Sequence, residues 1–201
     1  GNLLELDEKS DTDYYITADI DYFNDQDPTK NFRIESARIR IQGTSSRFYP
    51  RKNYRFYTNK ADYTILYDAD NQIVPDGLYA FKDNAQPVDC WCLKADFAES
   101  SGTHNTGVAR IWNEVMFNAN FSYTNNAGEQ VSGYPLRTKA QNTAKESGYT
   151  KDVRTTIDGF PILLFRRATS TDDAILVGKY NFNNDKSTPK VFGFEDIPNF
   201  D

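Results

Sequence analysis

Apolar and polar residues alternate with period two over several stretches of this chain, and that alternation predicts strands. Behind Tyr15, the segment Asp13 to Tyr22 sets Ile16, Ala18, Ile20 and Tyr22 against Thr17, Asp19 and Asp21, the pattern of a half-buried strand. Asn24 to Lys30 has the composition of a turn, and Phe32 to Ile41 resumes the alternation on Ile34, Ile39 and Ile41. A Gly-Thr-Ser-Ser loop follows at 43–46. Tyr54 to Tyr57 and Tyr63 to Tyr67 read as two further strands, separated by the polar run Thr58 to Asp62. Asp68 to Asn71 and Asp76-Gly77 read as turns. Cys90 to Phe97 sets Trp91, Leu93 and Ala95 opposite Cys90, Cys92 and Lys94.

The helical period appears in one place. Between Thr103 and Phe117, Val108, Ile111, Trp112 and Val115 fall at i, i+3, i+4 and i+7, which predicts a helix over 103–117 with a buried stripe. Ser101 and Thr103 are the candidate caps. The stretch 118–152 is rich in Asn, Thr, Ser and Gly and has no clear period, which reads as a functional or partner-contacting insertion. Strands then return at Ile162 to Arg166, Ile175 to Phe182 and Val191 to Phe194, with Asp158-Gly159 and Asn183-Asn184-Asp185 as turns. Strands dominate around one principal helix, so the expected class is α+β, mainly an antiparallel sheet, in one domain over 1–201.

Composition adds limits. Only 38% of the 201 residues are hydrophobic, but 14 Phe and 13 Tyr supply buried area that a disordered chain of this charge would lack. The formal charge of −6 argues against a nucleic-acid partner, since phosphate backbones need a basic footprint. One local basic cluster stands against that trend: Arg47, Arg51, Lys52 and Arg55. No apolar run approaches the roughly 20 residues of a membrane span, so no membrane insertion is expected. No signal peptide opens the chain, and Gly1 in place of Met suggests a piece of a larger protein. Cys90 and Cys92 put both thiols on one strand face, where a bridge would be strained, so both are expected to be reduced and structural.

Three segments in order carry a resemblance. The first is Ile39 to Phe56 (IRIQGTSSRFYPRKNYRF), a strand, a Gly-x-Ser-Ser loop, a Tyr-Pro and a basic strand. The second is Leu93-Lys94-Ala95-Asp96 with Glu99-Ser100-Ser101 and the helix carrying Arg110. The third is Asp158-Gly159-Phe160-Pro161, its strand, and Gly178-Lys179-Tyr180-Asn181-Phe182. Together they resemble the CotH kinase-like family of the spore-coat type, and the wording LKADF, HNTGVAR and GKYNFNNDK is most similar to CotH-like modules of phage and prophage tail or baseplate proteins. The resemblance implies part of an atypical kinase-like fold that, in active members, binds ATP and magnesium and phosphorylates protein serines.

Phosphoryl transfer needs cations against the phosphates and carboxylates that hold magnesium. The backbone of Gly43, Thr44, Ser45 and Ser46 is the candidate phosphate cradle, Lys52 and Arg55 are candidate phosphate partners, and Lys94 and Arg110 a second cationic contact. The metal-holding aspartates of active members belong to a later segment than this chain contains. Glu195-Asp196 reads as a strand end, and Asp185 as turn chemistry. No catalytic residue or metal ligand is therefore assigned. His104, the only histidine, has no triad partners.

These observations favour a non-catalytic structural or adhesive module of a phage tail or other surface assembly. Its expected partners are other virion or surface-assembly proteins, in an oligomer at a virion or extracellular surface. Contacts would be made through the insertion and tyrosines such as Tyr123, Tyr134 and Tyr149. An ATP- and magnesium-dependent protein serine kinase, or its nucleotide-binding half, is the alternative, and a carbohydrate-binding module a third reading.

Overall fold

The computed structural model describes residues 2–58, 63–82, 85, 87–98, 100–102, 104–118, 122–124, 128, 130–132 and 156–185. It is mainly an antiparallel sheet with two helices, the coarse α+β class that the alternation predicts. In chain order the elements are α1 (Leu3–Lys9), β1 (Tyr15–Tyr22), β2 (Phe32–Gln42), β3 (Asn53–Tyr57), β4 (Ile65–Tyr67), β5 (Cys90–Lys94), α2 (His104–Asn118), β6 (Ser122–Thr124), β7 (Gln130–Ser132), β8 (Gly159–Arg166) and β9 (Ile175–Asn184). Seven strands form the main sheet in the order β1-β2-β3-β5-β9-β8, with β4 paired beside β3's place on β2. β6 and β7 pair as a separate two-stranded ribbon, so the polar insertion contains a hairpin that its composition does not announce.

The core lies on one face of the main sheet. Trp91 is fully buried and its ring meets those of Phe32, Phe56, Tyr79, Phe81 and Phe182 at 4.6–6.1 Å, mostly edge to face. Such pairs contribute about 0.5–1.5 kcal/mol each beyond the area they bury. Helix α1 closes part of this face. Leu6 is fully buried in the core, and Asp7 accepts the Tyr54 hydroxyl at 2.6 Å. Hydrophobic periodicity does not mark α1, but its cap is legible: Asn2 accepts the Leu4 N–H at 3.1 Å, and Glu5 stands three positions on, the spacing of a capping box.

Strand β2 contains a parity break. Ile34 and Ile39 are an odd number of residues apart, so a regular strand would turn them to opposite faces. Both are buried. A bulge reconciles them: Ala18 pairs with Ala37 but Ile20 with Ile34, so Asp19 faces both Glu35 and Ser36. Ser36 takes φ 57°, and its N–H donates to Asp19 Oδ1 at 2.9 Å.

Several expectations are corrected. The run Asn183-Asn184-Asp185 is not a turn. Asn183 and Asn184 end β9, and Asp185 is buried beside Arg55, whose charge makes that burial tolerable. Asp158-Gly159 does not form a turn of its own either; Gly159 opens β8. The fourth strand begins at Ile65, and β5 stops at Lys94, one residue before Ala95, because Asp96 takes φ 44°. Cys90 through Leu93 are all buried, as befits a central strand covered on both sides.

The largest correction concerns α2. Val108, Ile111, Trp112 and Val115 are 53%, 66%, 49% and 49% exposed, so the apolar stripe faces outward. Thr106 and Ala109 turn inward instead, and Thr106 Oγ1 lies 3.4 Å from Asn181 Oδ1 on β9. Small side chains let the helix approach the polar face of the sheet, and a polar sheet face offers the stripe nothing to bury against. The segment Val191 to Phe194, the pair Glu195-Asp196, Tyr134 and Tyr149, and the side chain of Tyr123 lie outside the described residues.

Candidate functional site

Opposite the aromatic core, the second face of the sheet is polar. Cross-strand partners share a face, so the pairing Tyr15–Arg40–Arg55–Cys92–Asn183 runs as one row across β1, β2, β3, β5 and β9. Arg40 and Arg55 are therefore direct neighbours. Like charges set opposite each other destabilise a sheet, so this row needs compensation.

Two groups supply it. The Tyr57 hydroxyl oxygen accepts from Arg40 Nη2 at 2.9 Å and from Arg55 Nη1 at 3.5 Å. On the other side, Arg55 Nη2 lies 3.0 Å from Asp185 Oδ2 and 3.2 Å from Oδ1. Burial alone would lower the Arg55 pKa, but the Tyr57 contact and the Asp185 carboxylate outweigh it and hold the guanidinium charged. Asp185 also accepts the Cys90 thiol at 3.5 Å. Burial, with the Asp185 charge adding to it, raises both thiols, Cys92 to about 11, so neither is a nucleophile at neutral pH.

At the β1–β2 end of this face an open cleft of about 320 Å³ is lined by Thr12, Arg40, Gln42, Gly43, Arg47 and Arg55, with Ile41 and Thr44. Three guanidinium groups and no carboxylate line it. Among the described residues, Arg47 Nε, Arg55 Nε and Gln42 Oε1 are buried with no hydrogen-bond partner. The two Nε groups are donors on charged guanidinium groups, and leaving buried donors without partners is costly; Gln42 Oε1 is an acceptor. An oxyanion matches the two arginine donors, since guanidinium forks bind carboxylate, phosphate and sulfate through paired N–H bonds.

The loop at the mouth is held from behind. Gly43 has φ 111°, a conformation open to glycine and strained for other residues. Ser46 begins a short 3₁₀ turn, and its hydroxyl accepts from Asn53 Nδ2 at 3.2 Å. Asn53 Oδ1 in turn takes the Ala95 N–H at 2.8 Å, tying the loop to β5. Lys52 is buried and donates to the Arg47 carbonyl at 2.6 Å, which places its ammonium behind the loop rather than in the cleft.

Of the eight candidates, the structure brings Gly43, Thr44 and Arg55 to one cleft. Ser45 and Ser46 are not among its lining residues and lie at the start of the short 3₁₀ turn, Lys52 braces the loop, Lys94 stands at the end of β5 opposite Asn181, and Arg110 is exposed on α2. Arg40 was missed because nothing in the sequence says that β2 and β3 align it with Arg55. Gln42 was missed for the same reason.

Magnesium does not fit this cleft: three guanidinium groups repel a dication, and no lining residue offers a carboxylate. Among the described residues no three His, Cys, Asp or Glu side chains come together as metal ligands. No helix among the described residues is long and apolar enough to cross a membrane. A scan of protein-family models and searches of curated proteins and of solved structures found no match to this chain.

Proposed function

We propose that this chain is a non-catalytic adhesive module, CotH-like in scaffold, that grips an oxyanion in its arginine cleft as part of a phage tail or other surface assembly. The carrying observation is the convergence of Arg40, Arg47 and Arg55 on one cleft with no lining carboxylate. Two arginines paired across neighbouring strands work against stability, and anion capture gives them a purpose. The assembly and its virion or extracellular setting rest on the resemblance of the three sequence segments alone.

The test is thermal unfolding with sulfate and with phosphate, at constant ionic strength. A ligand bound only by the native state raises Tm by mass action. Both anions are expected to raise Tm over a chloride control, and Arg40→Gln with Arg47→Gln to remove the shift. An equal Tm in chloride and sulfate would refute the cleft. The runner-up is nucleotide binding, which the shared position of Gly43 and Arg55 favours. It requires ATP with magnesium to stabilise far more than phosphate does.

A further inference from the structure

A bare oxyanion leaves one buried atom of the cleft unanswered. It can accept from Arg47 Nε and Arg55 Nε, but Gln42 Oε1 is itself an acceptor, and it too has no hydrogen-bond partner. An anion donates nothing to it. A ligand that satisfies all three atoms carries an acid group and, close to that group, a hydroxyl or N–H donor. Thr12 and Thr44 also line the cleft, with groups that donate as well as accept.

The cations continue past the cleft. Arg38 stands two residues before Arg40 on β2, on the same face and roughly 7 Å away along the strand. Its guanidinium lies 3.6 Å from the centroid of the Tyr15 ring, and among the described residues no carboxylate pairs with it. Arg47 is stacked in the same way on Phe48, at 4.7 Å. Stacking holds the guanidinium plane and leaves its N–H edge to meet an oxyanion. Beyond Arg38 the run ends at the bulge, where Glu35 neutralises Arg33 at 2.9 Å. Three cationic stations therefore follow one another: Arg38, the pair Arg40 and Arg55, and Arg47. Asp185 offsets Arg55, and each station still keeps a positive charge.

We infer that the cleft and this track bind an acidic polysaccharide. The carboxylate or sulfate of one sugar sits among Arg40, Arg47 and Arg55, a ring hydroxyl donates to Gln42 Oε1, and the next acid group along the polymer reaches Arg38. The inference rests on the cleft's capture of an oxyanion and names the class of molecule that carries it. A DNA phosphodiester brings no donor close to its oxygens. A peptide strand finds no free edge to add to, because β2 is paired on both sides by β1 and β3.

Isothermal titration of the full chain with galacturonate and with cyclohexanecarboxylate, at constant ionic strength, tests the hydroxyl. Both acids present a carboxylate on a ring, and only the sugar carries donors. Galacturonate is expected to bind about tenfold tighter, as one hydrogen bond to a buried acceptor contributes. In Gln42→Met the two acids should bind alike, a ratio that a general loss of affinity does not move. Tetragalacturonate should bind the wild-type chain tighter than the monomer. Arg38→Gln should cut that advantage about tenfold. Arg33→Gln, which removes the same charge from the neutralised end of the strand, should leave it in place. Equal wild-type affinity for galacturonate and cyclohexanecarboxylate would overturn the inference, and a sulfate-induced rise in Tm would then leave the oxyanion cleft standing without the sugar. Binding of neither sulfate nor carboxylate would overturn both. Equal losses in Arg38→Gln and Arg33→Gln would overturn the track, as would tetraglutamate, oligothymidylate or oligouridylate binding as tightly as tetragalacturonate.

Discussion

Asp185 stands 130 residues beyond Arg55 in the sequence, yet its carboxylate reaches the guanidinium at 3.0 Å from a position that is 1% exposed. The pair joins the end of β9 to the middle of β3 and neutralises one of the three arginines of the cleft. It therefore couples stability to the cleft's charge. Asp185→Asn should cost about 3 kcal/mol of stability, because it strands a largely buried guanidinium. It should also tighten sulfate binding several-fold, since the anion takes over the released charge. Chemical denaturation and calorimetric titration of the same variant would check both signs. A variant that loses stability and sulfate affinity together would break the coupling.

Gly43 governs the mouth of the cleft. At φ 111° an alanine is strained, and its Cβ would collide with the Ser46 hydroxyl, which also serves Asn53. Gly43→Ala should lower stability by about 1–2 kcal/mol and reduce sulfate affinity more than it reduces Tm. A variant with wild-type affinity would show that the loop backbone takes no part in binding.

The bulge in β2 makes a separate prediction. Asp19→Ala removes the acceptor of the Ser36 N–H and should cost about 1 kcal/mol. Ser36→Gly, which suits φ 57°, should cost nothing or stabilise slightly. Urea midpoints of the two variants moving in the same direction would contradict the arrangement.

Alkaline pH should weaken the fold. Burial raises Cys92 from 9.0 to about 11 and Tyr180 from 10.0 to about 12. The native state then keeps protons that the unfolded chain releases, so stability is whole below pH 9 and falls as pH climbs through these values. Cys92→Ala should flatten the portion between pH 9 and 11 in a plot of urea midpoint against pH. An unchanged slope would acquit the thiol.

The strands were legible because alternation reports burial of one face directly, and β1 and β2 follow it nearly residue by residue. What alternation does not report is which strands lie side by side. The row Arg40–Arg55–Cys92–Asn183 depends on β9 inserting between β5 and β8, a long-range choice that leaves no local mark. Hence Arg55 was found as part of a basic cluster, while Arg40 and Asp185 were not. Asp185 looked like turn chemistry because Asn-Asn-Asp is common in turns; a partner far away in sequence overrode that preference. For α2 the error ran the other way. The stripe was read correctly as apolar, but periodicity says only that a face is distinct, not which side of it meets the protein. The odd spacing of Ile34 and Ile39 was a signal available in the sequence, and it encodes the bulge.

The insertion of β9 next to β5 also sets an order of events during synthesis. A ribosome that has released β1, β2, β3 and β5 has produced a sheet whose last strand, Cys90 to Lys94, presents unpaired backbone along its full length. That edge waits about 90 residues for β9, and the lateral contact between Arg167 and Asp21 spans 146. Contacts so distant slow folding, and an open apolar edge in the interval invites pairing with another nascent chain. The yield of this protein should accordingly respond to translation speed and to holdase chaperones more than its final stability would suggest.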